Sequence, residues 1–176
     1  MSVENGIYFG AFDGFTWIRC EGKGSFMQSP ALKDCTQARQ EDGETLFVID
    51  LQACTGMDST FMGFLAGLAA RVGRVGGQVQ IAAPGERNRQ SLEDLGLDCL
   101  LHISPPEAVW RGHADEIRSK LEPYSSKRLP GVKERAKHVL EAHRTLASTS
   151  EENAERFAGV LEVFEKQASD DSEAES

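Results

Sequence analysis

Residues 45–51, TLFVIDL, constrain this chain more than any other stretch. Five consecutive apolar or β-branched positions closed by an aspartate read as a strand buried deep inside a sheet, as in parallel sheets covered by helices. A short loop, Ala53-Cys54-Thr55-Gly56-Met57, follows it. Asp58-Ser59-Thr60 then opens a helix from Phe61 to about Val75, with Asp and Ser as ordinary helix-capping residues. Phe61, Phe64, Leu65, Leu68 and Val72 recur at intervals of three and four and mark one helix face, and Gly76-Gly77 ends the helix. A buried strand feeding an apolar helix predicts an α/β fold.

The flanking segments extend that prediction. Residues 6–12 and 14–21 are rich in aromatic and β-branched residues, and Asp13-Gly14 between them signals a hairpin. Along the second strand Phe15, Trp17 and Arg19 face one way, and Thr16, Ile18 and Cys20 the other. Residues 22–30 read as a loop, and a helix is expected over 29–40, with Ser29 as its cap and Pro30 in its first turn. Further on, a strand is expected over 78–82, a helix over 89–95, a strand over 99–103 and a helix from Pro105-Pro106 to His113. The resulting order is β-β-α-β-α-β-α-β-α: a mixed sheet of four to five strands, with helices mainly on one face.

Composition shifts after this point. Residues 1–121 are expected as the α/β domain and 122–131, with Pro123, Ser125, Ser126, Pro130 and Gly131, as a linker. Residues 132–168 hold two apolar stripes, Val132, Ala136, Val139, Leu140, His143 and Leu146, then Ala154, Phe157, Ala158, Leu161, Phe164 and Ala168. Thr149 and Glu152 suggest a capping box between them, so a helical hairpin is expected. Its stripes call for cover from each other, the sheet domain, a second copy or a partner. Residues 169–176, SDDSEAES, are acidic and lack large apolar side chains, and are expected to be disordered.

Charge and motif content narrow the function. The formal net charge of -9 and the lack of a basic block argue against nucleic acid and anionic membranes. No run of about 18 apolar residues suggests a membrane span, and residues 1–10, MSVENGIYFG, do not resemble a secretory leader, so a cytoplasmic, reduced protein is expected. None of the four cysteines (Cys20, Cys35, Cys54, Cys99) forms a C-x-x-C pair, and each reads as a small buried hydrophobe. His102, His113, His138 and His143 are dispersed and fit no metal spacing. No phosphate-binding glycine motif is present, so no metal, cofactor or catalytic residue is assigned and a non-enzymatic protein is expected.

At residues 46–68, LFVIDLQACTGMDSTFMGFLAGL, the chain resembles the STAS domain family of anti-sigma factor antagonists. Asp50-Leu51 at the strand end, Asp58-Ser59-Thr60 at the helix start and Gly63 four residues after Ser59 fall at the family's positions. The order of elements up to about His113 agrees, including residues 79–82 and Leu95-Gly96-Leu97. The chain departs from the family in carrying Gly22-Lys23-Gly24-Ser25-Phe26 where Gly-x-Leu-Asp is usual, and Phe61 where Gly is common.

The resemblance implies a bacterial signalling protein acting in transcription regulation. Its partner would be a serine kinase that is also an anti-sigma factor, and a phosphatase would reset the switch. Phosphorylation would fall on Ser59, with Thr60 as second choice. Docking would involve Asp58, Ser59, Thr60, Phe61, Gly24, Ser25 and Phe26. Independently of the family, a hydroxyl at a helix N-terminus lies near unpaired backbone N–H groups and the positive end of the helix dipole, where a phosphate is tolerated. The phosphate would alter the local potential by several kT and so change docking while sparing the fold. The alternative is a constitutive scaffold or dimerisation module of the same fold, in a stress-signalling complex or beside a transporter, with the C-terminal helices forming a homodimer.

Overall fold

The computed structural model describes residues 4–124 and 131–174. Its first hairpin pairs β1 (Gly6–Phe12) with β2 (Phe15–Gly24), and Phe12 faces Phe15 across the Asp13-Gly14 turn. Gly14 sits at φ 87°, the left-handed region that such turns need and glycine tolerates. The chain continues through α1 (Ser29–Glu41), β3 (Leu46–Asp50), β4 (Cys54–Met57), α2 (Ser59–Gly73), β5 (Gln78–Ala82) and α3 (Gly85–Asp94). It then forms a 3₁₀ turn (Leu97–Cys99), β6 (His102–Ile103), α4 (Ala114–Ser119), β7 (Glu122–Tyr124), α5 (Val132–Ser148) and α6 (Glu151–Ala174). The mixed sheet runs β6-β5-β3-β2-β1-β7, parallel from β6 to β2 and antiparallel from β2 to β7.

Both faces of the sheet are covered, and the alternation along β2 shows how. Ile18 and Cys20 enter the main core with Phe47, Ile49, Phe61, Leu65, Leu68 and Ile81, beneath α1 and α2. Trp17 points the other way and packs with Val48, Ala82, Trp110 and Ile117. On that second face Asp50 is fully buried. Its carboxylate accepts from Trp17 Nε1 at 3.2 Å, Arg19 Nη1 at 3.1 Å, and Arg118 Nε and Nη2 at 2.8 and 3.2 Å. A buried carboxylate persists only when paired and hydrogen-bonded in this way. The fork from Arg118 also anchors α4 to the end of β3.

Several expected boundaries move. The loop expected over residues 53–57 contains β4, which pairs in parallel with the end of β2 after a bulge at Gly22 and Lys23. The strand expected over 99–103 shrinks to His102–Ile103, because Gly96, at φ 70°, turns the chain into the 3₁₀ turn. No helix forms over 105–113. Arg111 donates to the Ser104 and Pro105 carbonyls at 2.6 Å each, and Gly112 is left-handed at φ 83°, so the segment folds into turns and the helix begins at Ala114.

The expected linker opens with β7, where Phe9 and Tyr124 meet edge-on at 5.4 Å. Residues 125–130 of that linker and 175–176 of the tail lie outside the described residues. Residues 169–174, expected to be disordered, continue α6, whose acidic end shares a groove with Lys133 and Lys137 of α5. The α5–α6 junction is capped one residue later than expected. Ser150 Oγ accepts from Asn153 N–H at 3.0 Å, while the Thr149 hydroxyl donates to the Leu146 carbonyl.

Asp50→Ala would remove the buried carboxylate shared by Arg19 and Arg118, leaving them Glu21 and Asp115 as acidic partners. It is expected to cost about 3 kcal/mol or more, in the range for breaking buried ion pairs, measured by urea unfolding.

Candidate functional site

The α2 N-terminus is built by Asp58. Its backbone is extended, and its Oδ1 accepts from Phe61 N–H at 2.8 Å, the usual N-cap bond. The other oxygen, Oδ2, accepts from Phe26 N–H at 2.9 Å, and Asp58 N–H donates to the Gly24 carbonyl at 2.8 Å. Asp58 thus caps the helix and fastens the Gly24–Phe26 loop beside it. Ser59, the first helical residue, is relieved of the capping role.

The residues expected to form a docking surface divide into two sets. Asp58 and Ser59 are half-buried and Phe26 is 43% exposed, next to Met27 at 62%. Gly24, Ser25, Thr60 and Phe61 are buried. Phe61 packs inward with its ring edge 3.0 Å from where a Cβ on Gly24 would stand, so it serves the core and presents no anchor outward. Burial likewise removes Thr60 from the reach of an enzyme. Of the expected residues, Asp58, Ser59 and Phe26 reach the surface, beside Met27.

The Ser59 hydroxyl has a partner that spacing did not reveal. Its Oγ lies 2.9 Å from Nε2 of His143 on α5. The other ring nitrogen, Nδ1, is 2.7 Å from the Val139 carbonyl. A carbonyl only accepts, so Nδ1 carries a proton and donates to Val139, which fixes the ring with Nε2 turned to the serine oxygen. His143 is buried, edge-on to Phe157 at 5.5 Å.

This contact belongs to a broad seat. Leu146 and Phe157 join the main core, so the hairpin covers its own chain. At Gly63 the α5 backbone comes so close that a Cβ would run into the Ala142 carbonyl, whose carbon stands 2.8 Å away. Glycine at this position is what lets α5 lie flat on α2. The buried Asn153 of α6 donates to the Leu95 carbonyl at 2.8 Å and pins the far end of the hairpin. One signal for this cover was in the sequence. Residues 61–70, FMGFLAGLAA, lack any charged or amide side chain, and a helix apolar all round must be covered all round.

The comparisons with known proteins agree with this architecture. The family model for the STAS domain matches residues 11–108, and the chain belongs to that family. Three solved structures share the fold. A putative anti-sigma factor antagonist from Thermotoga maritima is 15% identical, with 62% of this chain and 92% of that one covered and a TM-score of 0.53. An anti-sigma factor antagonist from Mycobacterium paratuberculosis is 23% identical, with coverages of 67% and 92% and a TM-score of 0.51. The Bacillus cell fate determinant SpoIIAA, in its phosphorylated form, is 17% identical, with coverages of 64% and 99% and a TM-score of 0.50. No curated protein sequence is significantly similar to the chain. Among the described residues, no helix is long and apolar enough to cross a membrane.

Two measurements test this site. Asp58→Ala should cost about 1–2 kcal/mol through loss of the cap, and more if the loop loosens, whereas Ser59→Ala should leave the cap intact; urea unfolding of the two variants distinguishes them. The second concerns His138 on α5, whose pKa is lowered by burial and by Lys33, against the opposing pull of Glu141 and Glu134. The seated ring therefore stays neutral where the unfolded chain takes up a proton, below the ordinary value of 6.5. The resulting stability is fully present above that pH and declines as pH falls below it. Urea unfolding across this range should show the decline, and His138→Asn should flatten it.

Proposed function

We propose that this chain is a regulatory protein-binding domain of the anti-sigma-factor-antagonist type, switched by phosphorylation at Ser59. The observation that carries this reading is the division of labour at the α2 N-terminus. Asp58 makes the cap bond, so the Ser59 hydroxyl can be modified without removing the cap. A phosphate there would sit at the positive end of a 15-residue helix, where a dianion is accommodated. It would also place about two negative charges beside Asp58 on the same surface. An acidic partner surface would be repelled.

The partner class that fits is a serine kinase acting as an anti-sigma factor, with a phosphatase restoring the unmodified form. The setting is bacterial and cytoplasmic, and the output is transcription regulation. Binding needs no catalytic group or cofactor. Phe26 and Met27, exposed beside Asp58, supply the apolar contact that a docking surface needs at its centre. The solved structure of SpoIIAA in its phosphorylated form shares this fold and is consistent with a phosphate on it.

A constitutive scaffold is the second reading, and the Ser59–His143 contact favours it, because the hydroxyl is already engaged. A homodimer through the C-terminal stripes has less support, since Leu140, Leu146 and Phe157 are buried within the chain. Phosphosite mapping by mass spectrometry on the protein from its own cells decides between the two. Phosphate on Ser59 is expected; an unmodified Ser59 under every growth and stress condition would sink the switch. In pull-downs from the same cells, Ser59→Asp should lose the partner that the unmodified protein retains.

A further inference from the structure

The α5 helix lies across the N-terminal turns of α2, with Ala142 against Gly63 and His143 on Ser59. A partner reaching Ser59 from that side would need the ground that α5 occupies. At 2.9 Å between Oγ and Nε2 there is no room for a phosphoryl donor to approach the hydroxyl along that direction. The family match ends at residue 108, so the covering element is an addition to the family's fold.

The seat mixes apolar contacts, Leu146 and Phe157, with buried polar groups, His143 and Asn153. His138 Nε2 is buried and has no hydrogen-bond partner among the described residues. Between α2 and α5 a cleft of about 50 Å³, open to solvent on one side, is lined by Lys33, Gly63, Phe64, Arg71 and His138 among others. An unpartnered buried nitrogen and an incompletely closed seam each lower the gain from docking. Contacts of this polar, imperfectly packed kind are typical of surfaces that separate and rejoin.

We propose that the hairpin is an intramolecular gate over Ser59. Docked, it masks the serine and the α2 face; lifted as a unit, it exposes both to the kinase and partner. The gate rests on the reading of Ser59 as the switch, and it makes the opening equilibrium a second control on that switch. A partner that binds only the lifted form would bind with its affinity reduced by the lifted fraction. Any signal that weakens the seat would raise both binding and phosphorylation.

Native-state hydrogen exchange on the full chain, resolved by mass spectrometry, tests the gate without any kinase. Amides of α5 and α6 should exchange through an opening that leaves β3 and β5 protected, and hence faster than those strands. In full-length Gly63→Val, with a side chain wedged against Ala142, α5 exchange should rise about tenfold or more while β3 and β5 stay unchanged. Should that variant lose protection throughout, the wild-type comparison decides alone. Exchange of α5 only at the rate of β3 and β5 would overturn the gate and make the hairpin a fixed layer. Because the exchange experiment involves no phosphate, its outcome is separate from that of phosphosite mapping.

Discussion

Burial of α2 is the constraint on which the rest of the structure depends. A helix with apolar residues on every side is stable on a sheet only while its outer face is covered, by α5 or by a partner in its place, because large contiguous apolar patches invite association. Here the sheet takes one side through Phe61, Leu65, Leu68 and Val72, and α5 takes the other through Ala142 and Leu146. Gly63 sets how closely the outer layer can approach. The second face of the sheet is closed separately, by the Trp17–Trp110 contact at 5.5 Å and by the Asp50 cluster. The layers are therefore stacked so that the helix carrying Ser59 is the middle one.

That stacking puts the proposed phosphorylation site at a layer boundary. The N-terminus of α2 emerges between the Gly24–Phe26 loop, tied down by Asp58, and the α5 helix, which reaches Ser59 through His143. A modification there changes the rim of a packed interface and leaves the sheet untouched. On the proposed reading, chemical change and fold stability are thereby decoupled, as a switch requires.

Much of this was legible in the sequence where one local rule dominated. The apolar run ending at Asp50, the Asp13-Gly14 turn and the alternation along β2 all specified their structure through period and turn chemistry. The STAS architecture followed from the order of those elements and from Asp58-Ser59-Thr60 with Gly63. Short elements were harder. The four residues of β4 and three of β7 carry too little pattern, and their pairing is decided by neighbours distant in sequence. The turns over residues 105–113 arise from Arg111 bonding to backbone carbonyls, which no periodicity records. The Ser59–His143 pair joins residues 84 apart, and its only trace in the sequence was the all-round apolar character of α2. The burial of Thr60 and Phe61 was hard to read for a related reason: adjacent helical residues point in directions about 100° apart, so a motif that is contiguous in sequence is split between core and surface.

The central claim is that α5 of the same chain lies across the N-terminus of α2 and holds Ser59 through His143. Nuclear Overhauser spectroscopy on the labelled full-length protein measures this directly. The account predicts cross-peaks between the His143 ring protons and the Ser59 β-protons, accompanied by contacts from Ala142 to Gly63. Absence of both sets, with α5 making contacts only to α6, would contradict it.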